Sequence, residues 1–269
     1  MSKKIWDSKY IYLFLLPAFV PLIIFGYYPA VEAFTLSFTD GLGNFVGLDN
    51  FIRIGNDEIL LNSIGNMVFL LIFSMLAANI PALITSELLF NLKNQKLCSF
   101  YRYLFTIPML VPGAVVILLW QNVIFDPGTG LANAILAAFN LEPLGWLGEI
   151  DTALISLAMI GFPWIAGTNL LIYLAGLQNI PESIIDAVKI DGGNLLTRFF
   201  RIDLPLLIGQ FKLLFILAII SGIQAFQIQL ITTMGDPSYA TMVPGLWMYQ
   251  RAFRYGEFGY SSAIGLVMF

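Results

Sequence analysis

Residues 181–205 read PESIIDAVKIDGGNLLTRFFRIDLP, a charged stretch with a glycine pair at its centre. It lies between two long apolar segments of a chain that is mostly apolar. Pro181 suits the first position of a helix, where its missing N–H is no loss, and Glu182 adds negative charge where the helix dipole favours it. The stretch therefore predicts a short helix that begins next to Pro181.

The glycine pair divides the stretch into two short helices. Apolar and acidic residues before it recur at the three- and four-residue spacing of an amphipathic helix, namely Ile184, Ala187, Val188 and Asp191. Gly192 and Gly193 end that helix, because glycine adopts the left-handed conformation found at helix ends. Asn194 can then cap a second helix that leads to Leu204 and Pro205. Together the two helices form a knob.

Two interpretations of this knob remain open on pattern alone. It can lie in the lipid headgroups, with Arg198 and Arg201 facing phosphates. Alternatively, it can dock its apolar face into a groove of a partner protein.

Composition identifies the chain as a membrane protein. Of 269 residues, 58% are hydrophobic and 11% are charged, whereas soluble domains have roughly 45–50% apolar and about 25% charged residues. The net charge of −4 has the wrong sign for nucleic-acid binding, so we expect no nucleic-acid partner.

Several kinds of active site are excluded. The chain has no histidine and a single cysteine, Cys98, which excludes an intramolecular disulfide, histidine-based zinc sites and histidine-based nucleophile triads. It also lacks the phosphate loop G-x-x-x-x-G-K-[ST] of ATPases. We therefore expect no catalytic residue, no metal and no cofactor in this chain.

The apolar runs predict an all-α integral membrane protein with about six transmembrane helices in a single domain over residues 1–269. The runs cover about 10–38, 59–91, 102–125, 152–178, 205–233 and 261–269. The first run is too long for the apolar core of a signal peptide, so we expect it to be retained. The sixth is too short to cross a bilayer, so we expect that helix to continue beyond Phe269.

Lysine and arginine residues predict a cytoplasmic N-terminus, because cytoplasmic loops are enriched in them. This orientation places ten basic residues on or near the cytoplasmic side: Lys3, Lys4, Lys9, Lys93, Lys96, Arg102, Lys189, Arg198, Arg201 and Lys212. Only Arg53, Arg251 and Arg254 then lie outside. The loop at 180–205 is accordingly predicted to be cytoplasmic.

This loop resembles the coupling loop, or EAA loop, of permease subunits of binding-protein-dependent ABC importers. The pattern of that loop is E-A-A, three residues, G, and after about nine residues I-x-L-P. Here Asp186-Ala187-Val188 takes the E-A-A place, Asp191-Gly192 the D-G place and residues 202–205 the I-x-L-P place. Asp186 keeps the charge of glutamate on a shorter side chain, and Val188 is bulkier than alanine.

The likeness covers nearly the whole chain and is greatest to sugar-type, maltose-like permeases. Residues 47–51 read GLDNF, similar to the GLxNF stretch after the first span of that subfamily, and residues 174–181 resemble the run leading into the loop. Further residues fall where the subfamily has them in its third span and outer loop: Pro108, Pro112, Trp120, Phe125, Gly130 and Asn133.

The resemblance implies a type I ABC importer permease fold in the cell membrane of a prokaryote. It implies four partners, namely a second permease, two ATPase subunits that bind ATP and Mg²⁺, and an external substrate-binding protein. The residues it assigns to ATPase coupling are Ile184, Asp186, Ala187, Val188, Asp191, Gly192, Leu204 and Pro205. We expect apolar contact by Ile184, Val188 and Leu195 to supply most of the docking energy, because surface ion pairs contribute only about 0–1 kcal/mol.

Polar residues within the spans are candidates for a substrate pathway, because they are costly in lipid unless they face a cavity or another helix. The amides are Asn169, Gln224, Gln227 and Gln229, and nearby rings are Trp120, Trp164 and Phe226. Amides donate and accept hydrogen bonds and rings stack on apolar sugar faces, which suits a neutral sugar. Helix packing is the alternative role for each of these residues.

Other functions remain open on the sequence. An ion-coupled secondary transporter would need ionisable residues at mid-membrane, whereas Glu32, Glu87 and Lys212 lie toward the ends of spans. A permease for a non-sugar solute is a further alternative, although the few basic residues in the spans disfavour a phosphorylated one. A structural membrane protein would leave the amide cluster without a role.

Overall fold

The computed structural model describes residues 2–269, except for the side chains of residues 2–9 and of Lys189. The described chain is helical, and its one strand-like contact is an isolated antiparallel bridge between Thr39 and Phe45. This confirms the all-α prediction. Contacts divide the chain into two compact units, one of residues up to 61 together with 247–269, the other of residues 62–246.

The α-helices follow one another without intervening strands. In chain order they are α1 (Ser2–Leu22), α2 (Tyr28–Leu36), α3 (Asp49–Ile54), α4 (Glu58–Phe90), α5 (Gln95–Thr106), α6 (Gly113–Leu119), α7 (Leu131–Ala138), α8 (Ile150–Met159), α9 (Gly167–Gln178), α10 (Glu182–Ile190), α11 (Leu195–Arg198), α12 (Leu204–Leu206), α13 (Ile208–Ile223), α14 (Gln227–Ile231), α15 (Pro244–Phe253) and α16 (Phe258–Met268). Single π-helical turns cover Ile23–Tyr27, Trp120–Ile124 and Phe199–Asp203, and short 3₁₀ turns cover Ile107–Leu110 and Trp146–Gly148.

Three helical segments of the described chain are long and apolar enough to cross a membrane: Tyr10–Leu36, Glu58–Phe90 and Ile208–Ile231. A fourth candidate is the pair Gln95–Leu110 and Gly113–Ile124, whose axes meet at 86°. Pro108 and Pro112 lie at this bend, where their missing N–H groups interrupt helical hydrogen bonding. The prediction of about six membrane helices stays a prediction.

In the first unit, α2 and α3 both pack against α16. Asp57, just before α4, accepts hydrogen bonds from Trp247 Nε1 at 2.8 Å and from Tyr260 Oη at 2.7 Å. Burial alone would raise the pKa of Asp57, but these bonds and one from the Leu60 N–H outweigh it and hold the pKa below its usual value. This partly buried carboxylate therefore ties the start of α4 to residues 190 and 203 positions further along the chain.

Asparagine and glycine residues of the sugar-type pattern have structural roles here. Asn50, in the GLDNF stretch, donates to the Ser37 and Thr39 carbonyls at 2.9 and 2.8 Å. Asn133 accepts from Trp146 Nε1 at 2.8 Å and donates to two carbonyls of the same loop. Gly130 lies against the backbone at Asp126, with no room for a side chain.

The core of the second unit joins α4, α9 and α13. Its buried residues include Ala82, Leu170, Tyr173, Leu174, Leu177, Leu207 and Leu214. Gly176 brings two of these helices close together, because a Cβ there would lie 2.6 Å from Leu207 Cδ2 and 2.8 Å from the Gln210 side chain. Small residues permit this packing between membrane helices, where lipid provides no hydrophobic drive for helix association.

Besides the bend at Pro108 and Pro112, two more predicted spans are interrupted in the structure. The run at 152–178 is helical only as α8 and α9, and residues 160–166 between them are irregular, with Gly161 and Trp164 at φ of 89° and 54°. The run at 205–233 leaves the helix between Ile223 and Gln227.

The close contact at Gly176 yields a stability prediction. Replacing Gly176 with alanine should lower the free energy of unfolding by about 1–3 kcal/mol, because the new methyl group overpacks against the fully buried Leu207. The matched control is Gly65→Ala in α4, where no atom lies within 4 Å of the added Cβ. Thermal unfolding in detergent should show a lower midpoint for Gly176→Ala alone, and equal midpoints would contradict the packing argument.

Candidate coupling site and transport pathway

The knob consists of α10 and α11, which meet at Gly192. Gly192 has a φ of 73°, in the left-handed region that favours glycine. Around it, Asp191 N–H donates to the Ala187 carbonyl at 3.0 Å and Gly193 N–H to the Val188 carbonyl at 2.9 Å. This pattern of two bonds closes the end of a helix. The predicted glycine stop is therefore confirmed.

Asn194 caps the second helix of the knob. Its side-chain oxygen accepts a hydrogen bond from the Thr197 N–H at 2.8 Å, which satisfies one of the free amides at a helix N-terminus. The cap predicted from the sequence is thus confirmed. A π-helical turn, Phe199–Asp203, connects α11 to α12 at Leu204.

The residues assigned to coupling by resemblance fall into two groups. Four of them are exposed on the elbow and the helix before it, namely Asp186, Ala187, Asp191 and Gly192, and so is Pro205. Ile184 and Leu204 are instead partly buried and pack against the core of the second unit, and Val188 is partly buried. Ile184 and Leu204 therefore attach the knob to the core.

The apolar surface of the knob differs from the expected one. The large apolar side chains most open to solvent here are Ile190, Leu195, Leu196 and Phe200, which are 61–86% exposed. Of the three residues expected to supply docking contacts, only Leu195 is among them. Ile190 is the last residue of α10, two positions before Gly192.

Arg198 is buried in an ion-pair network. Its Nε donates to Asp203 Oδ2 at 2.8 Å, and its Nη2 donates to Glu87 Oε1 at 2.9 Å and to Asn91 Oδ1 at 2.7 Å. Asp203 is fully buried, and Arg198 is 8% exposed. The interpretation in which Arg198 faces lipid phosphates is therefore wrong, whereas Arg201 is exposed. Nothing in the local sequence pattern indicates this pairing, because Glu87 lies 111 residues from Arg198.

A cavity of about 740 Å³ lies in the second unit. Its walls come from α4, from the irregular segment 160–166 and from residues 221–229. Its polar and aromatic lining residues are Phe73, Ser74, Trp164, Ser221, Gln224, Phe226, Gln227 and Gln229. None of the residues that line it is charged.

Trp164 lies at the wall of this cavity between two other rings. Its ring centroid is 5.4 Å from that of Phe73 and 4.8 Å from that of Phe162, both in edge-to-face geometry. Its backbone is left-handed, which is unusual for a bulky residue and occurs at functional positions. The indole Nε1 is buried and makes no hydrogen bond within the described chain. An indole N–H can act only as a hydrogen-bond donor.

The glutamines lie where the fifth predicted span unwinds. Gln224 and Gln227 flank residues that leave the helix, and both side chains are exposed, while Gln229 is 4% exposed. Irregular backbone at membrane depth is tolerated where it lines a cavity, because water or a solute can satisfy the freed groups. The sequence offered a weak signal for such breaks, a glycine and a proline at 161 and 163 inside an apolar run.

Five of the seven candidate pathway residues line the cavity, namely Trp164, Gln224, Phe226, Gln227 and Gln229. Trp120 is not among its lining residues and packs against Phe125, with ring centroids 5.3 Å apart. Asn169 donates to the Ala78 carbonyl and to Asn79 Oδ1, both at 3.4 Å, and so joins α9 to α4. Serine residues 74 and 221 and Phe73 also line the cavity, and the sequence reasoning missed them.

The lining can therefore bind a neutral polar molecule. It offers amides, hydroxyls, aromatic faces and one indole donor, and no group that would pair with a charged solute. Among the side chains that the structure describes, no three acidic, histidine or cysteine groups come together that could hold a metal ion.

Known proteins resemble this chain over most of its length. It is 31% identical over 271 residues to the probable ABC transporter permease protein YesP of Bacillus subtilis, covering 96% of this chain and 84% of that protein. It is 28% identical over 262 residues to the arabinooligosaccharides transport system permease protein AraP of Bacillus subtilis, covering 96% and 83%.

A solved structure has the same fold. A chain from the crystal structure of a bacterial alginate ABC transporter, in complex with an alginate pentasaccharide-bound periplasmic protein, matches with a TM-score of 0.86 at 18% identity. The match covers 99% of this chain and 91% of the other. Residues 82–269 match the family described as binding-protein-dependent transport system inner membrane component. Because this match covers more than half of the chain, the protein belongs to the family of inner membrane permease components of ABC importers.

Proposed function

We propose that the chain forms, together with a second permease, the membrane pathway for a neutral carbohydrate delivered by an external binding protein. The observation that carries this proposal is the charge-free cavity, whose lining combines an unpaired indole donor with three glutamine side chains. Hydroxyl-rich sugars present both donors and acceptors to such groups, and their apolar faces stack on aromatic rings.

The descriptions of two similar proteins support a sugar as the cargo, although a third relative, UgpA of Shigella flexneri, is named for sn-glycerol-3-phosphate. AraP is named for arabinooligosaccharides, and the alginate transporter is described with a pentasaccharide on its periplasmic protein. A cavity of about 740 Å³ falls within the usual range for small-molecule sites and can take an oligosaccharide segment rather than a whole polymer.

The loop at 180–205 is proposed to receive an ATPase subunit. Its elbow presents exposed acidic residues, Asp186 and Asp191, beside exposed apolar side chains at 190, 195 and 196. Such a mixed surface suits a groove that contacts a short helix. Two ATPase subunits would serve the two permeases and would bind ATP and Mg²⁺, while this chain supplies no cofactor site of its own.

This assignment requires the knob and the N-terminus to be cytoplasmic. The ten-to-three bias of basic residues supports that orientation. ATP binding would draw the two ATPases together and carry the knobs with them. The helices that bound the cavity would then switch between arrangements open to the outside and to the cytoplasm.

The lining of the cavity does not support the alternative function of an ion-coupled transporter. Glu87 is engaged with Arg198 at 2.9 Å rather than facing the cavity, and no ionisable side chain lines the cavity. A non-sugar solute remains the competing cargo, and competition in uptake separates amino acids and glycerol-3-phosphate from sugars.

The cargo class is tested by uptake into proteoliposomes that contain the whole transporter and its binding protein. We expect competition by neutral oligosaccharides of two to five units, because their hydroxyls match the amide lining. Glycerol-3-phosphate and a panel of amino acids should not compete, because a charged group would enter the cavity without a counter-charge. Competition by amino acids but by no sugar would overturn the proposal.

Trp164 should contribute to cargo recognition through its ring and its N–H. Trp164→Phe keeps an aromatic ring but removes the donor, so uptake at limiting substrate should fall about two- to tenfold, the effect of one hydrogen bond. Trp164→Ala should lower it further. Trp120→Phe is the matched control, since Trp120 packs outside the cavity. Equal losses for Trp164→Phe and Trp120→Phe would argue against a role in the pathway.

Gly192 should be required for coupling. Gly192→Val places a β-branched residue at a φ of 73°, and we expect substrate-stimulated ATP hydrolysis and uptake to fall at least about tenfold. Gly192→Asn is the conservative control, because asparagine tolerates the left-handed conformation, and it should retain activity within about twofold. Normal activity of Gly192→Val would contradict the proposed role of the elbow.

A further inference from the structure

We propose that Arg198 is a positioning residue of the transport cycle that transmits movement of the knob to the wall of the cavity. The device is the Arg198 clamp, defined as Arg198 with Glu87, Asn91 and Asp203. This inference rests on the proposed coupling function of the loop and adds a defined route from that loop to the pathway.

The route is a single helix. Helix α4 supplies cavity-lining residues between positions 67 and 78, including Phe73 and Ser74, and its last turns carry Glu87. Nine residues separate Ala78 from Glu87, about 14 Å along an α-helix. The helix is continuous over this interval, past Pro81. A displacement applied at Glu87 therefore acts on the same element that forms the cavity wall.

The clamp joins this helix to the knob by directional bonds. Arg198 is the last residue of α11. Its Nε donates a hydrogen bond to Asp203, the last residue of the π-helical turn that follows. Its Nη2 holds Glu87 and Asn91 on α4 and just after it. Asn91 in turn donates to Glu87 Oε1 at 2.7 Å, which fixes the carboxylate. A planar fork with separate donors can bridge two partners in this way, whereas a lysine ammonium acts as a single point charge.

Apolar contact alone would make a looser link. Ile184 and Ile185 anchor the first helix of the knob against the core cluster. Such contacts are non-directional and permit sliding of one element over another. The second helix reaches α4 through the clamp, and its apolar residues Leu195 and Leu196 are exposed. The guanidinium therefore provides the directional connection between α11 and α4.

Arg198 supplies the positive charge that compensates both carboxylates of the clamp, Glu87 and Asp203. Two carboxylates share one guanidinium, and both Glu87 Oε2 and Asp203 Oδ1 are buried without a hydrogen-bond partner in the described chain. Removing the arginine alone would leave two buried carboxylates without compensation and could unfold this region. A test of coupling must therefore remove all three charges together.

The experiment uses the complete transporter with its binding protein in proteoliposomes and measures ATP hydrolysed per substrate taken up. The main variant is the charge-free triple Arg198→Met, Glu87→Gln and Asp203→Asn. We expect the ATPase subunits to co-purify and ATP hydrolysis to stay within about threefold of the wild type, because the knob still docks. Uptake should fall at least tenfold, so the ATP cost per substrate rises.

Two single variants complete the design. Arg198→Lys keeps the charge but cannot hold both partners, so it should also raise the ATP cost per substrate with normal assembly. Arg201→Met removes an exposed positive charge three residues away and should leave that ratio unchanged. A normal ratio in both the triple variant and Arg198→Lys would overturn the proposal, as would an equal rise in Arg201→Met.

The outcomes separate this inference from the proposed function. If the wild-type complex fails to bind ATPase subunits, the coupling function itself is wrong. If wild type is active but neither the triple variant nor Arg198→Lys assembles, Arg198 serves folding and the positioning role is refuted. Only an assembled, hydrolysing complex with reduced uptake supports transmission through the clamp.

Discussion

The cost of an unsatisfied polar group in hydrocarbon governs this structure. Each backbone amide within the membrane must bond inside its own helix or face a cavity, and each buried charge must meet an opposite one. Apart from the bend at residues 107–112, the chain departs from regular helix inside predicted spans chiefly at residues 160–166 and 224–226, and both of these segments contribute to one cavity. These two breaks and the cavity are therefore consequences of the same constraint.

The same constraint shapes the loop at 180–205. Arg198 lies in a buried position that few arginines occupy without partners, and it has two carboxylates and an amide. The network connects a surface loop to the helix that lines the cavity. Apolar packing of Ile184 and Leu204 holds the loop to the core, while residues such as Ile190 and Leu196 remain exposed. Attachment to the core and the exposed apolar surface thus involve different residues of one short segment.

Features that depend on interactions between neighbouring residues could be predicted from the sequence. Contacts between residues far apart in the sequence could not. The glycine stop at 192 and the cap at Asn194 depend on neighbouring backbone groups, and both were predicted. Amides and aromatic residues within a span could be recognised as candidates, but their partners could not. Asn169 contacts α4 and Trp120 packs on Phe125, whereas Trp164 faces the cavity, and no feature of the sequence distinguishes these environments. The resemblance to known permeases supplied roles for the loop, but not the division between its buried and exposed side chains.

The sequence by itself determined that the chain is an all-helical membrane protein with a helix–elbow–helix loop before its fifth apolar run. These features follow from composition and from the conformational preferences of single residues, which act over a few positions. Only the tertiary structure decided which polar side chains share a cavity and that Arg198 pairs with Glu87. Such pairings join positions about a hundred residues apart, and they form because burial leaves no water to satisfy the groups that meet there.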